Sequence, residues 1–314
     1  MPETPADPSI QSEGPFWISY AQYGEDILLH RLFPGVVDGF YVDIGANHPT
    51  LHSVTRHFYD RGWSGVNVEP VAQVFDRLAA ERVRDVNLPI AVSDREGTMT
   101  LVEPIESLGM ATLNVDFAIG LRADGYSCVE RPVTVVTLAH LCERYVGDRT
   151  IDFLKIDAEG HEAAVIRGGD WKRWRPRAVV VEATVIPEAW EPVLLASNYR
   201  FAAFDGVNRY YLREEDAALL PRLAAPRWTS DRFIPFEVAE ARRALEHELL
   251  GTRDGLEHAR FVAWEARELL ARAEARERAL REELDRLRRA EAGRSRLGRG
   301  ALRVARFLSS RRAG

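Results

Sequence analysis

The sequence predicts an α/β fold: a mostly parallel sheet flanked by helices, an antiparallel hairpin at its end, then a long helical extension. Three observations carry this. Short apolar runs alternate with helix-period segments from about Phe16 to Arg213, the pattern of strands joined by crossover helices. Asp205-Gly206-Val207-Asn208 lies between two such runs and reads as a hairpin turn. Glu237–Ala292 lacks proline, is dense in Arg, Glu, Ala and Leu, and repeats every seven residues.

Residues 1–15, rich in Pro, Ser and acids, read as a disordered lead-in to a domain spanning 16–236. Gly39–Ile44 reads as a strand ending at Gly45, and Val54–Arg61 as a helix. Gly65–Val68 reads as a strand ending at Glu69. Val71–Arg82 carries Val74 and Leu78 at helical spacing. Val86–Val92, Thr98–Val102 and Val133–Val136 read as strands, the last leading into a helix around Leu138–Tyr145. Ile151–Ile156 reads as a strand ending at Asp157, His161–Arg173 as a helix, and Ala178–Val181 as a strand ending at Glu182. Tyr199–Phe204 and Arg209–Leu212 flank the hairpin turn.

In the extension, 237–292, one heptad set is Leu249, Leu256, Ala263, Leu270, Glu277 and Leu284. The other is Thr252, Ala259, Ala266, Ala273, Leu280 and Leu287. This pattern predicts a coiled coil or long helical hairpin, with self-association through residues 245–287. Residues 293–314 hold seven arginines and no acid, with Leu297, Ala301, Val304 and Leu308 on one helical face. Such a tail suits an anionic membrane surface, or is a disordered basic segment. Phe307 is its one aromatic, which argues against single-stranded nucleic acid.

Composition narrows the function classes. The 314 residues are 46% apolar and 29% charged, which excludes a disordered chain and a small disulfide scaffold. No run is long and apolar enough to span a bilayer. The first 20 residues carry acids and no Lys or Arg, unlike a secretory signal. The two cysteines, Cys128 and Cys142, fit a reducing cytoplasm, so a cytoplasmic protein, peripheral at the inner membrane face if the tail binds there, is expected. The net charge of −6 is a difference between a more acidic body and the basic tail. Only Lys155 and Lys172 are lysines among 42 basic residues, which singles out Lys155 inside an apolar strand.

Ligands of open parallel sheets sit at the carboxyl ends of the strands. Here those ends read Asp43-Ile44-Gly45-Ala46-Asn47, Glu69-Pro70, Ser93-Asp94, Asp157-Ala158-Glu159-Gly160 and Glu182. An acid at nearly every strand end costs energy if buried alone and serves a site that binds hydroxyls, amines or a cation. Gly45 permits a tight turn, and Glu69 is placed for ribose hydroxyls. The glycine pattern of a dinucleotide site is absent: Ala46, Asn47, His48 and Pro49 follow Gly45. Asp43 suits a ligand with an ammonium or sulfonium group, and S-adenosylmethionine carries both together with a ribose.

The chain resembles FkbM-type S-adenosylmethionine-dependent methyltransferases from about Ser19 to Arg213. The resemblance rests on Ser19–Asp26, Val42–Asn47, Asn67–Pro70, Phe153–Glu162, Val181–Ala183 and Phe204–Arg209. The segment Lys155-Ile156-Asp157-Ala158-Glu159-Gly160-His161-Glu162 is the most specific. One position departs: many members carry Gly two residues after the Asn, where Pro49 stands here. The resemblance implies a Rossmann-like class I methyltransferase sheet of seven strands, the last antiparallel. It implies O-methylation of a saccharide, glycan precursor or natural product, often in polysaccharide biosynthesis.

Carried over, Asp43, Gly45, Ala46 and Asn47 would meet the methionyl and ribose region of S-adenosylmethionine, and Glu69 with Pro70 the ribose. Ser93 and Asp94 would lie by the adenine, and Gln22, Glu25 and Asp26 would close the pocket. Asp157, Glu159, His161, Glu182 and Lys155 are the catalytic candidates, with Lys155 paired to a nearby acid such as Asp157. Asp157, Glu159 and Glu182 also supply oxygens of the kind Mg2+ takes. The residues leave metal-assisted transfer and base catalysis both open. The alternative is an inactive methyltransferase-fold scaffold tethered to a membrane or a partner through its C-terminal helix.

Overall fold

The computed structural model describes residues 17–183, 189–224, 233–249, 262–282 and 286. The chain divides into two compact units at the Phe236–Glu237 junction. In chain order the strands are β1 (Trp17–Ser19), β2 (Phe40–Ile44), β3 (Ser64–Val68), β4 (Val86–Leu88), β5 (Ala91–Ser93), β6 (Gly97–Pro104), β7 (Cys128–Thr137), β8 (Phe153–Ile156), β9 (Ala178–Glu182), β10 (Tyr199–Phe204), β11 (Asn208–Arg213) and β12 (Phe233–Pro235). The helices are α1 (Glu25–Leu32), α2 (Arg56–Tyr59), α3 (Ala72–Glu81), α4 (Val115–Ala123), α5 (Leu138–Tyr145), α6 (Glu162–Arg167), α7 (Glu191–Ala196), α8 (Leu220–Ala224) and α9 (Phe236–Leu249).

Seven strands form the main sheet in the order β10-β11-β9-β8-β2-β3-β4. Strand β11 runs antiparallel to both neighbours, and the other pairings are parallel. This is the seven-stranded sheet with its last strand antiparallel that the motifs imply. Strands β2 and β8 are buried along their whole length, as parallel strands covered on both faces must be. One face packs Tyr41, Phe58, Trp63 and Phe153; the other packs Leu141, Val165, Trp190 and Tyr211. Local signals begin the helices. The Asn114 side chain accepts from the Asp116 and Phe117 amides at the start of α4, and Thr137 accepts from the His140 amide at the start of α5.

Three sequence expectations are corrected. Val86–Val92 is not one strand. It splits into β4, in the main sheet, and β5, in a separate three-stranded sheet β5-β7-β6, because Pro89 between them has no N–H to continue a ladder. The helix expected over His161–Arg173 stops at Arg167, where Gly168 and Gly169 follow. Gly168 has no room for a side chain: a Cβ there would lie 2.2 Å from the Ser93 carbonyl oxygen. The helix expected over Val54–Arg61 is a single turn, Arg56–Tyr59.

In the second unit the chain is helical through Leu249 and again over 262–282. Trp264, Leu269, Leu270 and Leu280 are exposed there. Heptad positions Thr252, Leu256, Ala259, Leu284 and Leu287 lie outside the described residues, as do the lead-in at 1–15 and the tail at 293–314. Among the described residues no helix is long and apolar enough to cross a membrane.

Candidate active site

A cavity of about 510 Å³ opens at the carboxyl ends of β2, β3, β8 and β9, within the size range of small-molecule sites. It forms there because the chain turns sharply after each strand. Gly45, at φ +81°, ends β2, and its amide and that of Ala46 both donate to the Val68 carbonyl, each at 3.0 Å. Asn47 and Glu159 are non-glycine residues with positive φ, at 48° and 49°. Such backbone costs on the order of 1–3 kcal/mol and persists where the surroundings hold it. The Glu159 turn is held on three sides. Thr112 Oγ1 donates to the Glu159 carbonyl at 2.7 Å, and Asn114 Nδ2 donates to the Gly160 carbonyl at 2.6 Å. Glu162 Oε1 accepts from the Ala158 and Gly160 amides at 2.9 and 3.0 Å.

Most residues expected to meet the cofactor line the cavity: Gln22, Asp43, Gly45, Ala46, Asn47, Glu69 and Pro70. Glu69 is almost fully buried. Its Oε2 accepts from the Asn47 amide at 2.9 Å and its Oε1 from the Val71 amide at 2.8 Å. Burial pushes its carboxyl up to about 7, against those two hydrogen bonds. Asp43 accepts from Thr55 Oγ1 at 3.3 Å. Burial raises its carboxyl to about 6, while Lys155 and Arg82 pull it down. The Pro49 loop is fixed by Arg82, whose Nε and guanidinium nitrogen donate to the Pro49 carbonyl at 2.9 and 2.7 Å.

Three residues expected at the cofactor lie off the cavity lining. Asp26 turns away from the cavity: fully buried, it accepts from Ser19 Oγ and the Tyr20 amide, both at 2.7 Å, and so holds the segment before α1. Ser93 and Asp94 are not among the lining residues; Ala91 and Val92 are. The Ser93 hydroxyl lies 3.0 Å from His161 Nε2, and Asp94 pairs with Arg167 at 3.1 Å.

All five catalytic candidates, Lys155, Asp157, Glu159, His161 and Glu182, line the cavity. Lys155, only 2% exposed, donates from Nζ to Asp157 Oδ2 at 2.8 Å. It is also the register neighbour of Asp43 across β2 and β8. Burial alone would lower its pKa, but Asp157, Glu25 and Asp43 hold it above the ordinary value. Burial, with Asp157 next, raises Glu159 to about 8. Glu182 is raised by burial and by the neighbouring Asp157 and Glu159. His161 is lowered by burial, so its imidazole is neutral at neutral pH.

The wall of the cavity includes residues that no sequence signal marked. Ser107, Leu108, Met110 and Leu113 come from the segment between β6 and α4, and Leu101 from β6. Asn208, read from the sequence as part of the hairpin turn and of the Phe204–Arg209 motif but given no role in the site, lines the cavity too, and its Nδ2 donates to Glu25 Oε1 at 3.1 Å. The cavity thus has apolar walls, a row of acids at strand ends, and one buried lysine. It can hold a ligand bearing positive charge and hydroxyls, and it offers bases beside them.

A family model described as "Methyltransferase FkbM domain" matches residues 43–216. No curated protein matches the chain significantly. Among solved structures, the chain is similar to a TehB-like SAM-dependent methyltransferase from Corynebacterium glutamicum. The identity is 8%, the TM-score 0.34, and the match covers 66% of this chain and 92% of that one. That likeness is too loose to bear on the site.

Proposed function

The chain belongs to the FkbM methyltransferase family, and from that premise we propose that it is an O-methyltransferase acting on a hydroxyl of a saccharide, glycan precursor or natural product. The observation that carries this is the division of one cavity between two groups of acids. Asp43 and Glu69 stand at the ends of β2 and β3, and Asp157, Glu159 and Glu182 at the ends of β8 and β9.

The residues present fit S-adenosylmethionine. Gly45 brings the backbone of β2 so close to β8 that a side chain there would collide with Asp157. Glu69, with its two amide bonds made, keeps lone pairs for the ribose hydroxyls. Asp43 and its neighbours favour an ammonium or sulfonium by charge. When bound, S-adenosylmethionine supplies a methyl group activated by the sulfonium.

The protein's own groups then act on the acceptor. Leu101, Leu108, Met110 and Leu113 exclude water. Neutral His161, or Glu182 or Glu159 once ionised, accepts the hydroxyl proton as the oxygen bonds to carbon. A carboxylate with a raised pKa is the better base for this, because it binds the proton more tightly. Lys155 fixes the Asp157 carboxylate.

Isothermal titration tests the cofactor. Glu69→Ala should weaken S-adenosylmethionine binding by roughly tenfold or more, the worth of charge-assisted hydrogen bonds of about 1.5–3 kcal/mol. Unchanged affinity, or no binding by the wild type at millimolar ligand, would sink the reading.

The helical extension is proposed to self-associate. Exposed Leu269, Leu270 and Leu280 support this, because such side chains gain by packing against a second helix. Sedimentation should give the full chain a higher assembly state than residues 1–236; equal states for the two would count against it.

A further inference from the structure

We infer that Asp157, Glu159 and Glu182, with Asn208 beside them, hold a hard divalent cation of the Mg2+ or Ca2+ kind. Each of the three acids offers a carboxylate oxygen, and these oxygens lie within 4.8 Å of one another. A cluster of acids is common without an ion. A second observation, on a residue outside the cluster, points to a ligand here.

Asn208 is 1% exposed, and its Oδ1 has no hydrogen-bond partner. The amide is not free to turn, because its Nδ2 lies 3.1 Å from Glu25 Oε1 and 3.3 Å from Asp205 Oδ2, and only the nitrogen can donate to them. Asn208 is the register partner of Glu182 across antiparallel β11 and β9. Residues directly opposite in such a pair present their side chains on one face, and both of these line the cavity. Glu182 Oε2 is also buried, with the Asp157 carboxyl as its neighbour. A buried acceptor left unmade is costly, and Asn208 stands in register with Glu182 in the lining that Asp157 and Glu159 share.

Charge favours a cation over a neutral donor. Among the described residues lining the cavity, six carboxylates face one lysine. The donor set is all oxygen, with no thiolate or imidazole in the cluster, which selects hard cations over softer transition metals. Four protein oxygens leave positions open in a six-coordinate shell. An acceptor oxygen entering one of them would lose its proton more readily, and His161 would take it, since Glu159 and Glu182 then serve as ligands. That role rests on the methyl-transfer reading above; the site itself does not.

The test uses the full chain, stripped of divalent ions with EDTA and dialysed. It is titrated calorimetrically with MgCl2, MnCl2 and CaCl2, and then with S-adenosylmethionine. One ion is expected per chain, with affinity falling at least tenfold in Glu159→Gln and in Glu182→Gln. Two variants are used so that misfolding of one, checked by circular dichroism, leaves the other to decide. No saturable ion uptake at millimolar concentration, in protein that still binds S-adenosylmethionine, would overturn the cation site and leave the methyltransferase reading standing. Uptake unchanged in the folded variants would also overturn it. Ion uptake that is lost in the variants, in protein that never binds S-adenosylmethionine, would uphold the site and sink the other reading.

Discussion

Replacing Gly45 by alanine is expected to abolish measurable S-adenosylmethionine binding and to destabilise the fold by roughly 2–5 kcal/mol. Two independent costs add. The residue sits at φ +81°, where an L side chain meets the following carbonyl at a cost of about 1–2 kcal/mol. A Cβ built there also falls 1.8 Å from the Asp157 carbonyl oxygen, and overpacking of that kind costs typically about 1–3 kcal/mol. Neither neighbour can yield cheaply, because the obstacle is backbone. The Asp157 amide donates to the Ile44 carbonyl at 2.9 Å, and the Gly45 and Ala46 amides both donate to Val68. Relief must therefore spread the ends of β2, β3 and β8, and those ends carry Asp43, Glu69 and Asp157. Gly125→Ala separates the two costs. Gly125 has φ +92° but nothing within 4 Å of the added Cβ, so it should lose stability and keep the ligand. Urea unfolding and calorimetric titration of both variants read this directly. If Gly45→Ala binds S-adenosylmethionine as the wild type does, the close approach of β2 and β8 does not shape the site.

The same strand ends explain what could be read without the structure. In a parallel sheet the carboxyl ends converge on one edge, so Asp43, Glu69, Asp157 and Glu182 come together whatever the details of the loops. Lys155 stood out because lysine is so rare in this chain. Features set by tertiary contact were not legible. The wall from Ser107 to Leu113 has neither the period of a strand nor that of a helix, and it is pinned by Thr112 and Asn114 to the distant Glu159–Gly160 turn. Asp26 carries the same carboxylate as its neighbour Glu25, and only the fold shows that Glu25 faces the cavity while Asp26 faces β1. Asn208 looks like any turn asparagine until β11 is laid beside β9.

The stability cost of Lys155→Met should depend strongly on pH. The lysine is buried, bonded to Asp157 at 2.8 Å and adjacent in register to Asp43. Removing one partner of a buried ion pair costs about 3–5 kcal/mol, because the remaining charge is left uncompensated. The size of that cost depends on whether the surrounding acids are ionised. Burial already raises Glu25 and raises Asp43 to about 6, and Lys155 is the largest influence pulling both back down. Without it their folded pKa values rise further above the unfolded ones. Between the unfolded and folded values the folded state then binds more protons, so stability falls as pH rises through that window. Below about pH 4 the acids are protonated in both states and the term vanishes. In the wild type, acidification has the reverse consequence at this position: it leaves the buried ammonium without a charged partner. The gap between the two proteins should therefore be small near about pH 5 and widen to its full value near about pH 8, measured by urea unfolding across that range. A gap that stays constant with pH would mean that Lys155 contributes only packing, and that the acids of the cavity are balanced by some other charge.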